Sequence, residues 1–475
     1  MSATSTSPVS ELSNTDLQRM DRGSVLHPST SVADFAAGKV PSTIVDTASG
    51  VRIRDNEGRE LIDAFAGLYC VNIGYGRTEV ADAIARQAHQ LAYFHTYAGH
   101  STEGLIRLSD RLVKMAPVSR GGSQMQRVFY GTSGSDANET QAKLVWYYHN
   151  LIGKPKKKRI IARERAYHGN TVIAGSMTGL NFYHNFMDLP VSAIVRAGAP
   201  HYYWGAEPGE MEEQFSTRRA AELEALILRE DPETIGAFIG EPVLGTGGMV
   251  PPPAGYWQAI QAVLRKYDVL MIADEVITGF GRTGRMFGSQ TYGIEPDLIT
   301  IAKGLTSAYA PLSGVLVGER VYRAMEAGSA EAGVFPHGYT YTGHPIAVAA
   351  ANANLDILER EDLAGNAASV GAYMLANLHE AFDGLPVTGE VRGVGLMLAV
   401  EFVADPATKR RLDPALKFAT RISALARDKG LITRAMPQSE AIGFAPPLVL
   451  GRSDADRIVE IAAACTRQVL EELTC

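Results

Sequence analysis

The sequence predicts an α/β protein: a large domain around a mostly parallel sheet, and a smaller α+β domain assembled from the two ends of the chain. Two observations predict it. Through the middle, short apolar runs alternate with segments of helical period, the pattern of strands buried on both faces and joined by crossover helices. At the ends this gives way to a polar–apolar hairpin and to long alanine-rich helical stretches. The hairpin comes first. Val51-Arg-Ile-Arg-Asp-Asn-Glu-Gly-Arg-Glu-Leu-Ile-Asp63 alternates polar and apolar residues around a turn at Asn56–Gly58. The buried strands follow: Val128–Tyr130, Arg159–Ala162, Ile235–Ile239, Val269–Ala273, Leu298–Ala302 and Gly314–Val317. Helical patterns such as Ala220–Leu228 and Tyr256–Leu264 lie between several of them. Beyond residue 345 come the alanine-rich helical stretch, strand-like Gly395–Phe402 and more helix. The expected division is residues 1–75 as an N-terminal segment of the small domain, 76–345 as the large domain, and 346–475 as the C-terminal part of the small domain.

Composition narrows the function classes. A chain of 475 residues is long enough for two or three domains. Its net charge of −7 argues against a polyanion binder, so nucleic acid is not an expected partner. The basic run Lys154–Arg159 reads as a solvated loop between a helix and a strand. Three cysteines, Cys70, Cys465 and Cys475, have no paired spacing. That speaks against a disulfide framework and a cysteine-based metal cluster, and fits a reducing cytoplasm. No apolar run approaches a membrane span. Met1–Pro8 lacks the features of a signal peptide and reads as a short flexible tail.

The segment Ile272-Ala-Asp-Glu-Val-Ile-Thr-Gly-Phe-Gly-Arg-Thr-Gly284 contains G-x-G-x-x-G at Gly279–Gly284, the spacing of a dinucleotide loop. Such a loop begins directly after a strand and ends inside the first turn of a helix. Here the strand stops at Asp274-Glu275, five residues earlier, and the residues after Gly284 give no apolar helical stripe. The glycines therefore read as a turn. The informative residue is Asp274, at the carboxyl end of a buried strand, where open parallel sheets bind their ligands. Lys303 occupies a second such end, and both charges are costly there unless something pairs with them. At a third end, Tyr130-Gly-Thr-Ser-Gly-Ser-Asp-Ala-Asn-Glu139 runs through small hydroxylated residues into a helix. The amides of Gly134 and Ser135, with the Ser135 hydroxyl, form an anion cradle at that helix start. An anion cradle, an acid and a lysine suggest a phosphorylated, protonatable ring held as an imine, which describes pyridoxal phosphate.

With those residues in view, the sequence resembles the class III aminotransferases of fold type I, in particular their ω-amino acid or amine:pyruvate branch. The resemblance runs from about Ser42 to the C-terminus. It rests on Gly67-Leu-Tyr-Cys-Val-Asn-Ile-Gly-Tyr-Gly76, Ser133-Gly-Ser-Asp-Ala-Asn138, Tyr167-His-Gly169, Glu241-Pro-Val243, Asp274–Gly284, Ala302-Lys-Gly304, Tyr339-Thr-Tyr-Thr-Gly-His-Pro345 and Arg434. It implies a seven-stranded sheet in the large domain and makes Lys303 the lysine that binds the cofactor and shuttles the proton. Asp274 would contact the pyridine nitrogen, Val276 and Tyr167 would pack on the two ring faces, and Gly134 and Ser135 would hold the phosphate. Thr340 would reach the phosphate of a neighbouring subunit, so the resemblance implies a homodimer with shared sites, or a tetramer built from it. Glu241 would be an acid behind the cofactor. Arg434 would bind a substrate carboxylate, a task that suits its planar fork. Tyr69, with Tyr167, would line the substrate pocket.

Three departures separate this chain from relatives that use glutamate and 2-oxoglutarate. Thr246 replaces the second acid of their E-P-V-Q-G-E-G-G stretch, Asn170 stands in place of an arginine, and Ile277 stands in place of a glutamine. Asp136 for the usual glutamate carries no chemical consequence. The function expected is therefore ping-pong transfer of an amino group from an amine or ω-amino acid to pyruvate, giving alanine. The alternatives are a 2-oxoglutarate-dependent aminotransferase; an aminomutase, racemase or decarboxylase on the same fold; a nicotinamide-dependent oxidoreductase using Gly279–Gly284; and a non-catalytic cofactor-binding regulator.

Overall fold

In the large sheet, apolar side chains alternate between two faces that are both covered, which is why its strands read as unbroken hydrophobic runs. A computed structural model describes residues 12–474; the tail Met1–Pro8 lies outside the described residues. Seven strands form the sheet: β1 (Met125–Gly131), β2 (Arg159–Arg163), β3 (Ile194–Ala197), β4 (Ile235–Gly240), β5 (Leu270–Asp274), β6 (Leu298–Ile301) and β7 (Ser313–Gly318), in the order β1-β7-β6-β5-β4-β2-β3. β7 pairs antiparallel with both neighbours, and every other pair is parallel. Ile160, Ala162, Leu270 and Ile272 face a core shared with Leu144 and Val145 of the helix Gly134–Leu151. Ile161, Phe238 and Met271 face the opposite core, with Leu223 and Ile227 of the helix Glu212–Arg229 and Trp257 of the helix Tyr256–Lys266. Six strands are legible as apolar runs. The seventh, β3, is a four-residue edge strand whose Arg196 interrupts the pattern.

The two ends of the chain meet. The hairpin forms as Arg52–Asp55 and Glu60–Asp63, preceded by Val45–Ser49. Glu60–Asp63 then pairs parallel with Leu431–Ile432, Asp63 opposite Ile432. A second four-stranded sheet, Thr388–Val394, Met397–Phe402, Ala441–Phe444 and Arg434–Ala435, packs with the helices Leu363–Phe382 and Arg452–Thr474.

Two motifs resolve structurally. Gly279–Gly284 forms consecutive turns, and the next helix, Gly288–Tyr292, starts beyond it. Gly281 and Gly284 have φ of 96° and 90°. A Cβ on Gly281 would lie 2.8 Å from Leu448 Cδ1, and one on Gly284 3.0 Å from Ala368 Cβ, so close approach and left-handed backbone both demand glycine. Arg282 between them is buried and donates to the Leu396 and Pro446 carbonyls and to Asn72 Oδ1. The basic run differs from expectation. Lys157 is 1% exposed, and its amine donates to the carbonyls of Ile235, Tyr267 and Asp268 at 3.2, 3.0 and 3.2 Å. Tyr267 and Asp268 directly follow the helix Tyr256–Lys266, so the lysine is consumed in tying the turn behind that helix to the strand at Ile235. Among the described residues no helix is long and apolar enough to cross a membrane.

Candidate active site

Parallel register brings the expected residues together at the carboxyl ends of the strands. Asp274, last in β5, pairs with Thr300 of β6, three residues before Lys303. Glu241 follows β4, Tyr167 follows β2, and Gly134 and Ser135 follow β1. Apart from Thr300, all of these, with Val276, Ile277, Asn138 and His168, line one cavity of ≈ 150 Å³.

Asp274 is 3% exposed and held on every side. Its Oδ2 accepts from Asn138 Nδ2 at 2.8 Å and lies 2.7 Å from His168 Nδ1, while Oδ1 accepts from the Val276 amide at 3.1 Å. Facing a carboxylate, His168 Nδ1 carries the hydrogen, and its buried Nε2 is left without a partner. Asn138 is fixed in turn, donating to the His168 carbonyl at 2.8 Å and accepting from Thr300 Oγ1 at 2.7 Å. Neither Asn138 nor His168 was singled out by sequence. Asn138 had a signal, since it lies four residues after Gly134 and so on the same helix face.

The helix Gly134–Leu151 opens with a capping box. Ser133 Oγ accepts the Asp136 amide at 3.1 Å, and Asp136 accepts the amide of Ser133. Asp136 also accepts from the hydroxyls of Thr132 and Ser313 at 2.8 and 2.9 Å, a purely structural role that fits its being no chemical departure. The amides of Gly134 and Ser135 are then among the first-turn donors that a helix cannot satisfy itself. A Cβ on Gly134 would lie 3.2 Å from both Val276 methyl groups, and one on Gly169 2.5 Å from Ser135 Oγ, so bare backbone is needed around this cradle.

Lys303 has a left-handed backbone, φ 44°, at the start of a short 3-10 turn. Burial pushes its amine below the usual lysine range, against the opposing pull of the neighbouring Cys70, Asp274 and Glu241. Its Nζ lies 5.4 Å from the centre of the Tyr69 ring. Glu241, 3% exposed, accepts the Tyr167 amide at 3.1 Å and the Gly245 amide at 2.9 Å; burial raises its carboxyl above the usual range. Tyr167 receives a hydrogen bond at its hydroxyl from Asn170 Nδ2 at 3.2 Å. Burial pushes the hydroxyls of Tyr69 and Tyr167 up to about 12.

Tyr69 is 2% exposed, and its hydroxyl stands beside Arg434 and Thr246 without a hydrogen bond to either. The Arg434 guanidinium sits 5.6 Å from the centre of the Phe65 ring. Thr246 and Ile277 are buried. Thr340 lies apart: it is exposed on the loop before Pro345, where its carbonyl accepts from the Tyr93 hydroxyl at 2.6 Å.

Comparison with known proteins gives the family. The Aminotransferase class-III family profile matches residues 35–465. The chain is 63% identical over 459 residues to the uncharacterized aminotransferase y4uB of Sinorhizobium fredii, covering 96% of this chain and 97% of that one. It is 54% identical to a diaminobutyrate–2-oxoglutarate transaminase of Halomonas elongata, covering 97% of each. The solved ω transaminase of Pseudomonas jessenii in complex with PMP superposes with a TM-score of 0.92 at 40% identity, covering 96% of this chain and 98% of that one. The cavity fits that family's cofactor, pyridoxal phosphate: an amide cradle kept open by Gly134 and Gly169, a fully braced carboxylate and a desolvated lysine converge on one space. The chain belongs to the class III aminotransferases, enzymes that use pyridoxal phosphate to move an amino group from a donor to a 2-oxo acid.

Proposed function

We propose that this enzyme is an ω-transaminase taking the amino group from an amine or ω-amino acid and delivering it to pyruvate, giving alanine. The observation that carries the choice of acceptor is a neutral residue, Thr246, near the Tyr69 hydroxyl that Arg434 also approaches. Thr246, not an acid, shares the surroundings of the Tyr69 hydroxyl with the guanidinium. One guanidinium fork suits a substrate with one carboxylate, and no acid at position 246 is present to draw the arginine away. Asn170, where an arginine would offer a second cation, instead donates to Tyr167.

When bound, pyridoxal phosphate supplies a ring that accepts the electron pair released as the substrate carbon loses its proton. The protein does the rest. Lys303 holds the cofactor at rest; once displaced, its Nζ takes the proton from the substrate carbon, a role helped by burial that favours the neutral amine. Asp274, kept in place by Asn138, His168 and the Val276 amide, holds a proton on the ring nitrogen. Gly134 and Ser135 bind the phosphate, while Val276 and Tyr167 pack on the ring faces. Glu241 acts through Tyr167, whose amide it accepts. Tyr69 and Arg434 orient the substrate. Thr340, exposed here, reaches the site of a second subunit in a cytoplasmic homodimer.

A second reading has an observation of its own, since the Halomonas elongata relative is named for 2-oxoglutarate. Steady-state assays with one amine donor and each acceptor decide. Pyruvate should exceed 2-oxoglutarate in kcat/KM by roughly 10-fold or more, and Thr246→Glu should lower that ratio. A wild-type preference for 2-oxoglutarate establishes the second reading.

A further inference from the structure

We infer that Asp63 is a positioning residue that sets the shape of the substrate space by imposing a left-handed turn on Ala66–Tyr69. The inference rests on the proposed placement of Tyr69 and Arg434 at the substrate. Four consecutive residues, Ala66, Gly67, Leu68 and Tyr69, have φ of 46°, 53°, 71° and 67°. Three of them carry side chains that disfavour this backbone, so the turn persists only where its surroundings dictate it.

Asp63 does the dictating. Its Oδ1 accepts the Phe65 amide at 2.9 Å, and its Oδ2 accepts the Gly67 amide at 2.7 Å and the Tyr75 hydroxyl at 2.6 Å. Three donors converge on a side chain that is 3% exposed. An ionised carboxylate meets them because it only accepts; an amide would aim N–H at one of the backbone N–H groups. The turn then closes on itself, with the Tyr69 amide donating to the Phe65 carbonyl at 2.8 Å and the Cys70 amide to the Ala66 carbonyl at 2.8 Å. The result places the Tyr69 ring over Lys303 Nζ and its hydroxyl beside Arg434.

The same residue fixes the opposite wall. Asp63 stands opposite Ile432 in the parallel pair, and the Ala64 amide donates to the Ile432 carbonyl at 3.0 Å, two residues before Arg434. Phe65, held by Asp63 through its amide, lies under the Arg434 guanidinium. One buried carboxylate therefore sets the spacing between the aromatic wall and the carboxylate-binding arginine.

The test uses the holoenzyme with pyruvate and two donors, compact 2-aminopropane and bulky 1-phenylethylamine. Asp63→Asn should lower kcat/KM for the compact amine about 10-fold, since sub-ångström misplacement of orienting groups is costly. The bulky amine should lose less, so the ratio shifts several-fold toward it, while the bound-cofactor absorption band is kept and the thermal midpoint falls because a buried backbone N–H loses its acceptor. Tyr75→Phe, which removes one of the three donors, should shift the ratio the same way by less, and it decides alone if Asp63→Asn does not fold. Tyr69→Ala should shift the ratio most, and adding Asp63→Asn to it should shift the ratio far less than Asp63→Asn does alone. Equal losses for both donors in Asp63→Asn and Tyr75→Phe, with a shifted ratio in Tyr69→Ala, overturn the role of Asp63. An unshifted ratio in Tyr69→Ala overturns instead the placement of Tyr69, and this inference with it.

Discussion

The two ends of the large sheet treat charge in opposite ways. At the amino ends of the strands, charges are consumed by the fold. Lys157 gives its amine to three carbonyls, Lys154 and Arg320 both bind Asp268, and Arg159 binds Glu230. Asp297 is held more loosely, with Oδ2 accepting the Met271 amide and Oδ1 4.0 Å from an Arg320 nitrogen without a hydrogen bond. At the carboxyl ends, Lys303 faces an aromatic ring and stands on left-handed backbone, and Tyr69 and His168 keep unpartnered buried atoms. Paired charges hold a fold together; charges left desolvated and partly unpartnered are held ready for a ligand.

Mutations at the two ends should separate activity from stability. Lys303→Ala should have the largest effect, cutting transamination by roughly 10⁴-fold, the upper end for a positioned acid–base group. Its thermal midpoint without added cofactor should stay level or rise, because a desolvated amine is removed. Retained turnover contradicts the assignment. Asp274→Asn should follow, with turnover reduced by about 10²-fold or more while cofactor is still taken up; single-turnover absorbance measurements separate binding from proton transfer.

Lys157→Met at the other end should invert the pattern. It strips donors from three carbonyls and should cost about 3 kcal/mol of stability by denaturant unfolding, with activity per folded molecule unchanged. Loss of activity at full stability would show that the two ends are coupled. The smallest effect belongs to Asp268. Burial opposes its ionisation, but Lys154 and Arg320 bring its carboxyl down to about 2. A depressed carboxylate contributes stability that is fully present above its unfolded value near 3.9 and is lost as pH falls toward 2. Asp268→Asn should thus cost about 1 kcal/mol at pH 7, reduced by the 41% exposure of the side chain, only a small part of that near pH 2, and nothing well below it. Unfolding curves at the two pH values check the sign.

The same contrast marks what the sequence made legible. Strands apolar on both faces showed themselves, and the charges ending them, Asp274 and Lys303, stood out because charge at the end of a buried run needs a reason. Edge strand β3 did not, being short and broken by Arg196. The basic run Lys154–Arg159 misled because composition cannot show that a helix ends against Lys157. Asn138 and His168 were hidden for another reason: they act on Asp274 through bonds between elements 136 and 106 residues apart. Asp63 was hidden by backbone conformation, since nothing in Ala66-Gly-Leu-Tyr69 announces left-handed dihedrals. Thr340 was read from resemblance, and one chain leaves it facing outward.

The most direct test of the carboxyl-end account is the visible absorption spectrum of the purified holoenzyme, followed through addition of an amine and then of pyruvate. The account predicts a long-wavelength band from cofactor bound to Lys303 that is lost with amine, returns with pyruvate, and is missing in Lys303→Ala. A band that survives in Lys303→Ala, or no band even after pyridoxal phosphate is supplied, contradicts it.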